Sequence, residues 1–86
     1  RNISAELLDN KDRAILVGVT DGPRWKEEES LEELKELARS DDVEVAGKVV
    51  QRVKMIDPRF LIGKGKLSEL ILMCRQMGCN LLIFNN

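Results

Sequence analysis

The chain has 86 residues, 43% of them hydrophobic and 34% charged, with a formal net charge of −1 and no histidine. Its length allows one domain and excludes a large self-sufficient core, since so short a chain buries only about 60–65% of its unfolded surface. No run approaches the roughly 20 apolar residues of a membrane span, and histidine-based catalysis or ligation is ruled out.

Charge is unevenly spread. Residues 21–44 carry ten acids against four bases, whereas residues 48–66 carry six bases (Lys48, Arg52, Lys54, Arg59, Lys64 and Lys66) against Asp57 alone. A basic zone of this kind attracts phosphate or RNA. It can equally face the acidic half of its own domain. Arg1 stands where an initiator Met would, with no signal pattern behind it, so a piece of a longer protein is expected. Cys74 and Cys79 are five apart, which fits no zinc spacing. They read as buried small hydrophobes in a reduced, cytosolic setting.

Residues 1–12 are polar and weakly patterned. Ser4 can cap a short turn bearing Leu7 and Leu8, and the segment reads as frayed. Residues 14–19 (AILVGV) form a continuous apolar run closed by Thr20-Asp21-Gly22-Pro23, as expected of a parallel strand buried on both faces. Gly18 within it permits a close backbone approach. Residues 20–29 read as a charged linker carrying the sole tryptophan, Trp25, which either anchors a partner or folds back onto the domain.

A helix is expected over residues 30–40. Ser30 is its N-cap and Glu33 the reciprocal capping-box partner. Leu31, Leu34, Leu37 and Ala38 recur at helical spacing, and Glu32, Glu36 and Arg39 are left to water. Residues 43–53 alternate as an edge strand. Val43, Val45, Gly47, Val49, Gln51 and Val53 point one way, and Glu44, Ala46, Lys48, Val50, Arg52 and Lys54 the other. A second helix spans residues 66–77. Its stripe is Leu67, Leu70, Ile71, Cys74 and Met77, and Gly78 is its left-handed cap. Leu72 and Met73 widen that stripe, which leaves apolar surface to bury elsewhere. Residues 81–84 (LLIF) read as an interior strand, with Asn85 and Asn86 after it.

Two successive βαβ units with right-handed crossovers follow. The expected fold is α/β: a three-stranded parallel sheet in order 2-1-3, helices on both faces, truncated from a larger sheet. The loop over residues 54–65 then leaves the carboxyl end of a strand, where open α/β sheets place ligand sites.

That loop contains Asp57-Pro58-Arg59-Phe60-Leu61-Ile62-Gly63-Lys64-Gly65-Lys66. Gly63 and Gly65 allow positive φ and close approach of amides to a ligand, while Lys64 and Lys66 bring cations to a helix N-terminus, together an anion site. The alternative is that the glycines only turn the chain into the helix and the lysines are solvated. It is not a Walker A loop. Residue 60 is Phe, and Leu67 follows Lys66 where Ser or Thr would hold magnesium. Nor does it contain G-x-G-x-x-G.

Three segments together resemble the amino-terminal domain of the HflX family of GTPases. They are Leu31-Glu32-Glu33-Leu34-x-x-Leu37-Ala38, Val45-x-Gly47-x-Val49-Val50-Gln51-Arg52 and Asp57-Pro58-x-x-x-Ile62-Gly63-Lys64-Gly65-Lys66-Leu67-x-Glu69-Leu70. The resemblance covers residues 13–84, and residues 13–86 are expected to be this domain. It implies a cytosolic protein acting on the large ribosomal subunit, able to split ribosomes. GTP and magnesium would be held by a downstream GTPase domain outside this chain. It implies contact with ribosomal RNA through Gln51, Arg52, Lys54, Arg59, Gly63, Lys64, Gly65 and Lys66. Residues 53–56 (VKMI) stand where the family is often more basic. The alternatives are an ATP-binding regulatory domain, for which only Phe60 and Trp25 offer stacking faces outside the last strand, and a structural domain packed on the GTPase domain. Catalysis by this stretch of chain is not expected, since no nucleophile lies beside a base.

Overall fold

The computed structural model describes residues 11–57, 59 and 62–85. Five elements follow one another: β1 (Asp12–Thr20), α1 (Arg24–Ser40), β2 (Val43–Arg52), α2 (Lys64–Gln76) and β3 (Leu81–Asn85). All strand pairings are parallel, and the sheet order is β2-β1-β3, the expected 2-1-3 arrangement. The reading of residues 1–10 lies outside the described residues.

The apolar run of β1 makes it the central strand. Ala14, Ile15, Leu16 and Val17 are fully buried and Val19 nearly so. Ile15, Val17 and Val19 meet Leu70 and Cys74 of α2, with Val49, Val53, Ile62, Met73, Met77, Leu82 and Phe84 packed around them. Ala14 and Leu16 turn to the opposite face, which α1 covers with buried Leu31 and Ala38. The helices therefore lie on opposite faces. The start of β3 is tied to β1 by Asn80, whose backbone N–H donates to the Arg13 carbonyl and whose side-chain Oδ1 accepts from the Arg13 N–H, both at 2.9 Å.

Sequence and structure part in four places. First, α1 begins at Arg24, six residues before Ser30, so residues 24–29 are helix rather than linker. Pro23 occupies the N-cap position with extended backbone, and Ser30 lies inside the helix. Second, β2 does not alternate uniformly. Ala14 pairs with Val45 but Ile15 pairs with Gly47, so Ala46 is an extra residue and a bulge. The bulge swaps faces. Val43 and Val45 share the α1 side with Asp12 and Ala14, whereas Gly47, Val49 and Gln51 share the α2 side with Ile15, Val17 and Val19. Third, α2 begins at Lys64, so Lys64, Gly65 and Lys66 form its first turn. Fourth, some expected stripe residues lie outside the core. Leu37 is 64% exposed because it sits about a quarter-turn round from Ala38, and Ile71 is 40% exposed by the same displacement from Leu70. Gly78 does take the left-handed cap, at φ +69°.

Candidate functional site

Parallel strands with crossover helices put two kinds of feature at one end of the sheet: the carboxyl ends of β1, β2 and β3, and the N-termini of both helices. The expected site residues all fall there.

Gln51 and Arg52 close β2. The Gln51 amide turns back to donate to the Arg52 carbonyl at 3.2 Å. Arg52, Val53 and Lys54 line a shallow hollow of about 380 Å³ together with Asp21 from the β1–α1 turn. Arg59 is exposed. Its backbone N–H donates to Asp57 Oδ1 at 2.9 Å, and its guanidinium lies 4.0 Å from the same carboxylate.

Gly63 is the N-cap of α2, its carbonyl accepting the first helical bond from the Leu67 N–H at 3.0 Å. Having no side chain, Gly63 cannot cap the N–H groups of Lys64, Gly65 and Lys66, which lack helical partners by position. Neither Gly63 nor Gly65 uses the positive φ that glycine allows. Among the described residues, a Cβ on either would meet nothing within 4 Å. Among the described residues these glycines thus answer no internal demand of conformation or packing, and none of those residues fills the space a Cβ would take.

The cations differ in how far they are engaged. Lys66 lies 3.6 Å from Glu69 one turn on, and Lys48 pairs with Glu32 of α1. The Lys48 hydrogen bond and charge hold the Glu32 carboxyl below its ordinary range. One member of the basic zone therefore does face the acidic half. Lys64, Arg52 and Lys54 make no ion pair among the described residues.

A second cluster at this end was not visible in the sequence. Glu27, in the first turn of α1, lies over Gly18. A Cβ at Gly18 would fall 2.5 Å from Glu27 Cγ and 2.8 Å from Cδ. Asn85, the cross-strand partner of Gly18, donates from Nδ2 to Glu27 Oε2 at 2.8 Å and to Ser30 Oγ at 2.9 Å. The only sequence signal was Gly18 inside a buried run. Because β1 lies between its two crossovers, a carboxylate occupies the switch point where many open α/β sheets hold phosphate, and it opposes an anion there.

No group of three or more Cys, Asp or Glu side chains among the described residues is arranged to hold a metal ion. Burial pushes the Cys74 thiol upward, so it stays protonated as a small core hydrophobe. No helix among the described residues is long and apolar enough to cross a membrane.

The sequence profile described as "GTP-binding GTPase N-terminal" matches residues 28–86. This chain belongs to that family, the N-terminal domain of HflX-type proteins. It is 43% identical over 81 residues to GTPase HflX of Caldanaerobacter subterraneus subsp. tengcongensis, covering 94% of this chain and 18% of that protein. To GTPase HflX of Lacrimispora saccharolytica it is 37% identical over 65 residues, 76% of this chain and 15% of the relative. To that of Alkalihalophilus pseudofirmus it is 32% identical over 76 residues, 87% of this chain and 18% of the relative. The chain thus spans less than a fifth of the length of the curated relatives it matches. The family match takes in all of β2, the basic segment, α2 and β3 of this HflX-type domain, along with most of α1.

Proposed function

We propose that this domain is the RNA-contacting module of a GTP-binding protein that acts on the large ribosomal subunit, where it serves ribosome splitting. The first turn of α2 grips the phosphate backbone, and Arg52, Lys54 and Arg59 add charge at the same end of the sheet. The observation that carries this reading is the pair Gly63 and Gly65. Among the described residues nothing places a steric or conformational demand on either, and they stand beside Lys64, which makes no ion pair there. Open amides at a helix start with a lysine on either side of Gly65 suit a phosphate oxygen. RNA contacts made through a backbone of this kind position a protein without reading sequence.

GTP and magnesium belong, on this reading, to another part of the parent protein. Here Leu67 follows Lys66 where a hydroxyl would be needed for magnesium. Binding of ATP is less well supported. Trp25 lies on α1, across the sheet from the α2 turn, and Glu27 holds the switch point against a triphosphate.

The test is cosedimentation of the full-length parent with large ribosomal subunits between 50 and 200 mM salt. Each phosphate neutralised contributes about 0.7–0.9 to the slope of log affinity on log salt. The double variant Lys64→Ala, Lys66→Ala is expected to bind more weakly and to lower that slope by about 1.5. Affinity and slope both equal to wild type would overturn the reading.

A further inference from the structure

The first two turns of α1 carry a second surface, on the opposite face of the sheet from the α2 turn. Trp25, Glu28, Glu29 and Glu32 stand at i, i+3, i+4 and i+7, a single stripe of the helix. With Leu31 they form one wall of a groove of about 500 Å³, whose other wall is Lys48 and Val50 of β2, with Arg24 at the rim. Strand β2 is the edge of the sheet, so one side of the groove is open.

Three features single it out. Trp25 is 60% exposed, a large aromatic face presented at the mouth of a partly apolar hollow. Glu32 is already answered by Lys48. Glu28 and Glu29 are exposed and their carboxylates make no hydrogen bond or ion pair among the described residues, leaving two carboxylates against the single unengaged cation Arg24.

We propose that this groove receives a lysine- or arginine-bearing segment of a partner protein. A guanidinium or ammonium lies over the Trp25 ring, attracted by its negative face. Glu28 and Glu29 accept its N–H groups in charge-assisted hydrogen bonds. The methylene stem rests on the half-buried surface of Val50. The same carboxylates repel phosphate, so RNA is the wrong partner for this face, and the proposal stands independently of the one made for α2.

The test uses the full-length parent and a fluorescein-labelled decapeptide of alternating arginine and glycine, read by fluorescence anisotropy. A glutamate–glycine decapeptide and a labelled single-stranded RNA serve as controls. Trp25→Ala and the pair Glu28→Gln, Glu29→Gln are each expected to weaken arginine-peptide binding about tenfold, with Trp25→Phe retaining part of it. RNA binding should be unchanged in all three. These positions are exposed, and melting curves matching wild type would confirm that the fold persists. Wild-type affinity for the arginine peptide in both Trp25→Ala and the double glutamine variant would overturn the proposal. So would a loss of RNA binding with peptide binding intact.

Discussion

Gly18 shows how one absent side chain organises an end of the sheet. Strand β1 needs bulk along its length, and Ile15, Leu16 and Val17 provide it, fully buried. At Gly18 the space belongs instead to Glu27, whose carboxylate accepts a hydrogen bond from Asn85 on the neighbouring strand. A half-buried carboxylate in a first helical turn is favoured by the helix dipole and by that donor. Gly18→Ala would drive a methyl group into the Glu27 stem at Cγ, so relaxation has to move the whole side chain and break the Asn85 contact. The expected cost is about 1–3 kcal/mol in denaturant unfolding, the range for overpacking. Asn85→Ala, which leaves the carboxylate without its donor, is expected to cost about 1–3 kcal/mol by itself. The two effects should be markedly less than additive, because each removes the same interaction. Full additivity would mean that Glu27 and Asn85 are not coupled.

At the scale of elements, the order of strands and helices was legible and the places where faces meet were not. The run AILVGV could only be an interior strand, and its neighbours followed from the crossover rule. The start of α1 escaped because its inward row reads Glu27, Leu31, Leu34, Ala38, and the polar first member broke the apolar stripe. Pro23 followed by good helix formers such as Lys26, Glu28 and Glu29 was the available signal. The bulge at Ala46 escaped because nothing in VEVAGKVV marks which residue is extra; only pairing against β1 decides it. Of the expected site residues, Arg52 and Lys54 share one hollow and residues 63–66 share one helical turn, so the gathering of these residues at one end of the sheet was legible. Its geometry was not, because the glycines were read as allowing positive φ and instead sit in extended and helical backbone. That difference makes a sharp expectation. Gly65→Ala places a better helix former where a Cβ meets nothing, and should stabilise the domain by about 0.5–1 kcal/mol. If the gap admits a phosphate, the same variant should weaken binding to large subunits. Rising stability with unchanged binding would show that Gly65 serves no ligand.

The molecule as a whole is short of core. Among the described residues nine apolar side chains are buried, all around β1 and the inner faces of the two helices. On α2, Leu67 at the first turn and Ile71 beside the inward row remain 38% and 40% exposed, and Leu72 on the outward face 57%. Three exposed apolar residues on one helix, one of them on its outward face, exceed the single scattered hydrophobes that a soluble surface normally shows. The relatives are about five times the length of this chain, and a parent of that length would have further polypeptide to cover them. Covering that face would also add the burial that a domain of this size lacks. On this reading Leu72, which contributes nothing to the core described, is buried in the parent protein. Leu72→Lys in the full-length parent is therefore expected to cost more than about 1 kcal/mol and to speed amide exchange across residues 64–76, because a lysine ammonium would be forced against an apolar neighbour. An open surface position would shift stability by less than about 0.5 kcal/mol and leave exchange in α2 as in wild type, and that result would remove the case for a covering segment. The substitution lies on the far side of α2 from Leu70 and Cys74, so it does not disturb the inner core, and the measured cost reports on the outer face alone.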